Sequence, residues 1–241
     1  MKNKLNIVMT RMPEGMPLTS ARLAEAGVSA DLAVHYARAG WLNRLARGVY
    51  QRAGDSLVLY PTLRMLETEV PGLHVGGKTA LDWYGVRQYV AHRPILYLFG
   101  WDTWRVPAWF NERFPARYHR KRLFRETPDA MVGVSRFNGQ PDAPLVAQPE
   151  RALLELLSEV GVRQPLAEAK ELTESAYTLR RDNLVELLRR CTSVKTVRLC
   201  LTLGREFDLP WSKGLESSGL PTGSASRWVA RTKAGLLVLK P

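Results

Sequence analysis

The sequence predicts an α+β protein in which a small N-terminal winged helix-turn-helix precedes a larger mixed α/β unit. Three observations carry that reading. Residues 17–53 hold two short helical patterns followed by an apolar/basic alternation around a glycine. Continuous apolar runs between Pro94 and the C-terminus have the length of buried strands. Residues from Gln148 to Phe207 repeat apolar side chains every three to four positions. Strands early and helices late make α+β rather than a repeating strand-helix-strand order.

In the first segment, Thr19 or Ser20 can cap a helix and Gly27 supplies a tight turn. Ser29 then caps a second helix, on which Leu32, Ala33 and Tyr36 return at core spacing. Ala30, Asp31, Val34, His35 and Arg38 are left on its outer face. Gly40 ends that helix. Trp41 to Arg52 alternates around Gly48 as a β-hairpin would, which places Arg44, Arg47 and Arg52 along a wing. The small and polar residues Ala53 to Ser56 suit a boundary, so the expected domains are 1–55 and 56–241.

Beyond the boundary, Tyr60 to Val70 has helical spacing and stops at Pro71-Gly72. Ile95 to Phe99, Met131 to Val134 and Gly235 to Leu239 read as strands. Pro149 suits the first turn of a helix carrying Ala152, Leu153, Leu154, Leu156 and Leu157, with Glu150 and Glu155 as first-turn charge and a solvated face. Further helices are expected over Leu166–Leu179, Asn183–Arg190 and Val194–Phe207.

Composition narrows the partners. The 241 residues are 45% hydrophobic, enough for a core, and 35 Lys+Arg against 23 Asp+Glu give +12. That balance favours a polyanion, with nucleic acid ahead of an anionic membrane surface. No apolar run approaches the roughly 18–20 residues that span a bilayer, and the N-terminus lacks an apolar signal core, so a cytoplasmic protein is expected. Residues 1–55 alone contain eight basic and four acidic side chains, a net +4. Phosphate attraction would supply affinity there, while the second helix would read base edges. The candidate contact set to double-stranded DNA is Thr19, Ser20, Ser29, His35, Arg38, Arg44, Arg47 and Arg52. A helical module for protein contact is the alternative for the same segment.

A second basic stretch, Arg113 to Arg125, contains no acid and interleaves Arg117, Arg120, Lys121, Arg122 and Arg125 with Phe114, Tyr118, His119 and Phe124. It reads equally as a further nucleic-acid surface or as an edge strand guarded by charge. Gly72 to Thr79 satisfies the written phosphate-loop pattern, yet the helical spacing of Leu63 to Val70 and the break at Pro71 are the wrong context. A helix starting at Gly76-Gly77 is expected there instead. Cys191 and Cys200 read as core residues. His35, His74, His92 and His119 are scattered away from metal-ligand spacing, so neither metal, cofactor nor catalytic group is expected.

The segments Leu18-Thr19-Ser20 through Gly40-Trp41-Leu42, Arg47-Gly48-Val49-Tyr50, Leu73 through Leu81, Leu98-Phe99-Gly100, Pro149-Glu150-Arg151-Ala152-Leu153-Leu154-Glu155 and Ser193-Val194-Lys195 together resemble the AbiEi antitoxins of type IV toxin–antitoxin systems, associated with abortive phage infection. The resemblance implies a repressor of its own operon whose N-terminal domain binds inverted operator repeats. It also implies a C-terminal domain that neutralises a nucleotidyltransferase-like, AbiEii-type toxin without a stable complex. The sequence departs from the family pattern at Ala30 and Val34 and across Gly204–Gly223. A phosphate-loop enzyme and a transcription factor without a toxin partner are the competing readings.

Overall fold

The computed structural model describes residues 14–86, 94–127, 130–232 and 235–239. Lys2, Lys4, Arg11 and His92 lie outside the described residues. The N-terminal unit begins with β1 (Leu18–Thr19) and α1 (Ser20–Glu25), then α2 (Ala30–Arg38) and the hairpin of β2 (Leu42–Ala46) and β3 (Val49–Arg52). The sheet order is β1-β3-β2, antiparallel throughout, with Leu18 opposite Tyr50 and Leu42 opposite Arg52. Gly27 closes the inter-helix turn at φ 79°, a left-handed conformation that costs a glycine little. Leu18, Leu23, Val28, Ala33, Tyr36, Leu42 and Tyr50 form a hydrophobic cluster of their own.

A second cluster runs from Leu57 to Leu239. It is built from α3 (Leu59–Glu67), β4 (His74–Val75), α4 (Gly77–Trp83), β5 (Leu96–Gly100), α5 (Ala108–Arg113), β6 (Ala116–Arg120), β7 (Val134–Arg136) and β8 (Leu145–Ala147). Four helices follow, α6 (Pro149–Ser158), α7 (Leu166–Ser175), α8 (Arg181–Arg190) and α9 (Val194–Glu206), and then the antiparallel hairpin β9 (Trp228–Thr232) and β10 (Gly235–Leu239). The five-stranded mixed sheet has the order β6-β5-β4-β8-β7, with β5–β6 and β4–β8 parallel. Its register sets His74, Phe99 and His119 abreast on neighbouring strands.

Most expected elements are present; α7, expected to run to Leu179, ends at Ser175, and there are three further differences. Pro61 sits in the first turn of α3, where its missing N–H removes no intrahelical bond, but the helix stops at Glu67. The strand expected over Met131 to Val134 starts only at Val134, because Gly133 turns the chain at φ 71° and its carbonyl accepts from Gln148 N at 2.7 Å. The third correction concerns α6. Glu155 does not lie on a solvated face: every residue from Glu150 to Ser158 is buried, and the helix is the central element of the second core. Cys191 and Cys200 are free thiols inside that core. Burial pushes the Cys191 thiol up to about 11 and Cys200 higher still.

Candidate nucleic-acid interface

The two N-terminal helices are fixed by their caps. Thr19 Oγ1 accepts from Arg22 N at 3.3 Å, and Ser29 Oγ accepts from Leu32 N at 3.3 Å, each satisfying an otherwise orphan amide. Ser20 ties α1 to the hairpin tip: its backbone N–H and its hydroxyl both donate to Gly48 O, at 2.8 and 3.3 Å. Thr19 and Ser20 are thus committed to internal bonds, whereas Ser29 remains exposed.

Ala33 and Tyr36 turn into the small core and Leu32 packs against it. The opposite face of α2 carries exposed Ala30, Asp31, His35 and Arg38, with Val34 half-buried. Arg44 and Arg47 are exposed on the adjoining hairpin, and Trp41 at its start is 49% exposed. Among the described residues no acid lies within ion-pair distance of Arg38, Arg44 or Arg47. Arg52 is different. It is 7% exposed and its Nε lies 3.4 Å from Asp55, so it braces the end of the hairpin instead of facing a phosphate. Sequence alternation placed Arg52 with the other arginines, but its cross-strand partner is the buried Leu42, and its side chain packs inward to meet Asp55.

The second basic stretch includes β6, which forms one edge of the five-stranded sheet. Arg117, Arg120, Arg122 and Arg125 are exposed. Arg122 stacks over Trp101 at 5.1 Å and lies 3.6 Å from Asp102. Lys121 turns inward: its Nζ donates to Glu159 at 2.6 Å and to Ser158 O at 3.3 Å. His119 is also buried, with Nδ1 3.0 Å from Glu159 Oε2 but neither ring nitrogen in a well-oriented hydrogen bond. Burial raises the Glu159 carboxyl, yet His119 and Lys121 outweigh it and hold the group down at about 2. Lys195 donates to the carbonyls of Ser158 and Val160 at 2.6 and 2.9 Å, and burial together with Lys121 brings it down to about 8.

The phosphate-loop pattern is explained by a buried network that sequence inspection missed. Gly76 and Gly77 do open a helix, as expected, and the short strand β4 precedes it. The anion at its N-terminus is the protein's own: Glu155 Oε2 accepts from Gly77 N at 3.2 Å. A side chain on Gly76 would strike that carboxylate and the Phe99 ring, the latter at 2.6 Å. Lys78 pairs with Glu168 at 2.8 Å, and the Thr79 hydroxyl is bonded to Ile95 O and Tyr97 N at 3.2 and 2.9 Å. The groups that would hold a phosphate and its metal all serve the fold.

Glu155 Oε1 meets His74 Nε2 at 2.8 Å and Arg151 Nε at 2.8 Å, and the Arg151 fork grips both oxygens of Glu126 at 2.8 Å. Burial alone would raise the Glu155 carboxyl, but His74 and Arg151 hold it below the ordinary carboxylate value. The signal for this network was legible: Glu150, Arg151 and Glu155 interrupt a helix that is apolar on all its other faces, and charges in a fully buried helix must be paired.

The chain is similar in structure to the RV2827C protein from Mycobacterium tuberculosis, with a TM-score of 0.56 at 14% identity over 95% of this chain and 87% of that one. At that identity the likeness concerns the fold. No curated protein sequence matches the chain. Two family models do, meeting between residues 92 and 93 and together spanning the sequence. Residues 1–92 match the AbiEi antitoxin N-terminal domain of transcriptional regulators, and residues 93–240 match the transcriptional regulator described as AbiEi antitoxin, type IV TA system. With its helix-turn-helix, wing and mixed α/β unit all inside those matches, the chain belongs to the AbiEi family of type IV toxin–antitoxin transcriptional regulators.

Proposed function

We propose that this protein represses its own operon by binding operator repeats through residues 1–55, and that the remainder neutralises a nucleotidyltransferase-like toxin without a lasting complex. It works in the cytoplasm as a regulator, not as an enzyme. The observation that carries the DNA reading is the outer face of α2. Its core side chains are all on one side, so Ala30, Asp31, His35 and Arg38 project together, and Arg44 and Arg47 flank them without acidic partners among the described residues. Base contacts belong to the helix and phosphate contacts to the wing. The family supports the regulatory role, and the net +12 suits the polyanion.

Asp31 at the start of α2 repels phosphate and is compatible with this reading only by accepting from a base amino group, such as that of cytosine. Footprinting on the region upstream of the gene tests the proposal. A protected inverted repeat, lost when residues 1–55 are deleted, is the expected result. Full-affinity specific binding by residues 56–241 alone would overturn it. Co-expression with a neighbouring nucleotidyltransferase gene tests the antitoxin half: growth should be rescued without co-purification of the two proteins.

A further inference from the structure

The outer edge of β6 has a chemistry that duplex recognition by α2 does not use. It is the last strand of its sheet, so among the described residues no strand pairs with its outer backbone groups. Arg117 and Arg120 project to opposite faces of the strand and flank that edge from both sides. Both are exposed, and neither has an acid within ion-pair distance among the described residues. Beside them Trp104 and Tyr118 form an edge-to-face pair, ring centroids 5.1 Å apart, and both rings are only half-buried. Asp102 leaves an exposed carboxylate next to the same pair, since Tyr118 Oη donates to its backbone carbonyl at 2.7 Å.

We infer that this edge is a binding surface for single-stranded RNA, with Arg117 and Arg120 on the phosphates and the Trp104–Tyr118 pair as a base-stacking platform. Aromatic rings beside backbone cations serve strands whose bases are splayed out, and a duplex, whose bases are stacked on one another, has no use for the rings. The outward backbone carbonyls of β6, which no strand among the described residues pairs with, and the Asp102 carboxylate, which Arg122 approaches at 3.6 Å, are acceptors, which suits the 2′-hydroxyl donor that RNA has and DNA lacks. The inference goes beyond operator binding and does not depend on it.

Fluorescence anisotropy of the full chain with labelled oligo(U), oligo(dT) and a duplex of random sequence, over a salt series, tests it. Oligo(U) should bind more tightly than the other two. The double variant R117A/R120A should weaken oligo(U) by roughly tenfold or more and flatten its log–log salt slope by about 1.4, or about 0.7 per lost phosphate contact. W104L should lose about tenfold with the salt slope unchanged, while W104F, which keeps an aromatic face, should recover most of the affinity. H35A/R38A should leave oligo(U) untouched while weakening duplex DNA, the upstream sequence most. Equal binding of oligo(dT), or random-duplex binding that falls together with oligo(U) binding in R117A/R120A, overturns the assignment to RNA. Unchanged oligo(U) affinity in R117A/R120A, or its loss in H35A/R38A, overturns the assignment to β6.

Discussion

Replacing Arg151 by Ala removes the fork that holds two buried carboxylates apart from solvent and from each other. Arg151 is 3% exposed at its side chain, Glu126 1% and Glu155 2%, and the guanidinium also donates to Val132 O at 2.7 Å and lies 4.7 Å over the Phe124 ring. Breaking a buried ion pair from one side costs about 3–5 kcal/mol, because the partner charge is left without compensation. In a chain of this size each kcal/mol lowers the melting temperature by about 2–4 °C, so the variant should melt roughly 6–20 °C below the parent. Circular dichroism melts of the two proteins measure it, with exposed Arg120→Ala as the control that should not move. Acidification gives a second readout. The parent holds Glu155 below the ordinary carboxylate range, so its contribution is present above that range and lost as pH falls through the depressed value. In the variant Glu155 loses Arg151 and keeps only His74 and the Gly77 amide, so it takes up a proton more readily and the gap should narrow on acidification. A melting shift below about 2 °C, or a gap that widens in acid, would refute the view that Arg151 holds the core of the larger unit.

Ser29→Ala removes the hydroxyl that caps α2 and should cost about 1 kcal/mol in urea unfolding. Arg47→Ala should weaken upstream and scrambled duplexes alike and reduce the salt slope by about 0.9, whereas Arg38→Ala should cost roughly 1–3 kcal/mol on the upstream duplex and less on the scrambled one; the reverse pattern would make the wing the reader. Calorimetric titration with ATP and GTP should release no binding heat, since Glu155 already holds the Gly77 amide, and micromolar affinity abolished by Lys78→Ala would contradict that geometry. Lys195, brought down to about 8, binds fewer protons folded than unfolded between that value and the ordinary lysine range. Stability should therefore rise with pH across the interval, and the rise should vanish in Lys195→Met.

The helices were legible because their apolar spacing survives in the fold: α8 and α9 begin and end within two residues of where periodicity places them. The wing was legible from alternation around Gly48. What escaped was whatever depends on pairing across long separations. β8 is three residues long, too short to show a period, and exists because β4 and β7 hold it on either side. Arg52 reads like Arg44 and Arg47 in the linear chain, and only its place across from buried Leu42 and beside Asp55 sets it apart. Lys121 falls in an acid-free run and still finds an acid, Glu159, on another element. The outer face of α2 needed nothing beyond a helical projection, because the residues that define it are local.

Glu155 gives the larger unit an unusual resistance to change of use. One carboxylate stitches a strand, a helix start and an arginine fork together at His74, Gly77 and Arg151, and it does so in the seat that a nucleotide phosphate would need. Clearing the seat by substitution takes the carboxylate away from buried His74, the Gly77 amide and Arg151 Nε at once, so a variant able to receive a phosphate would first loosen the ground the site stands on. The glycine-lysine-threonine string therefore reads like an enzyme's loop while position 155, and not the glycines, keeps it closed to that chemistry.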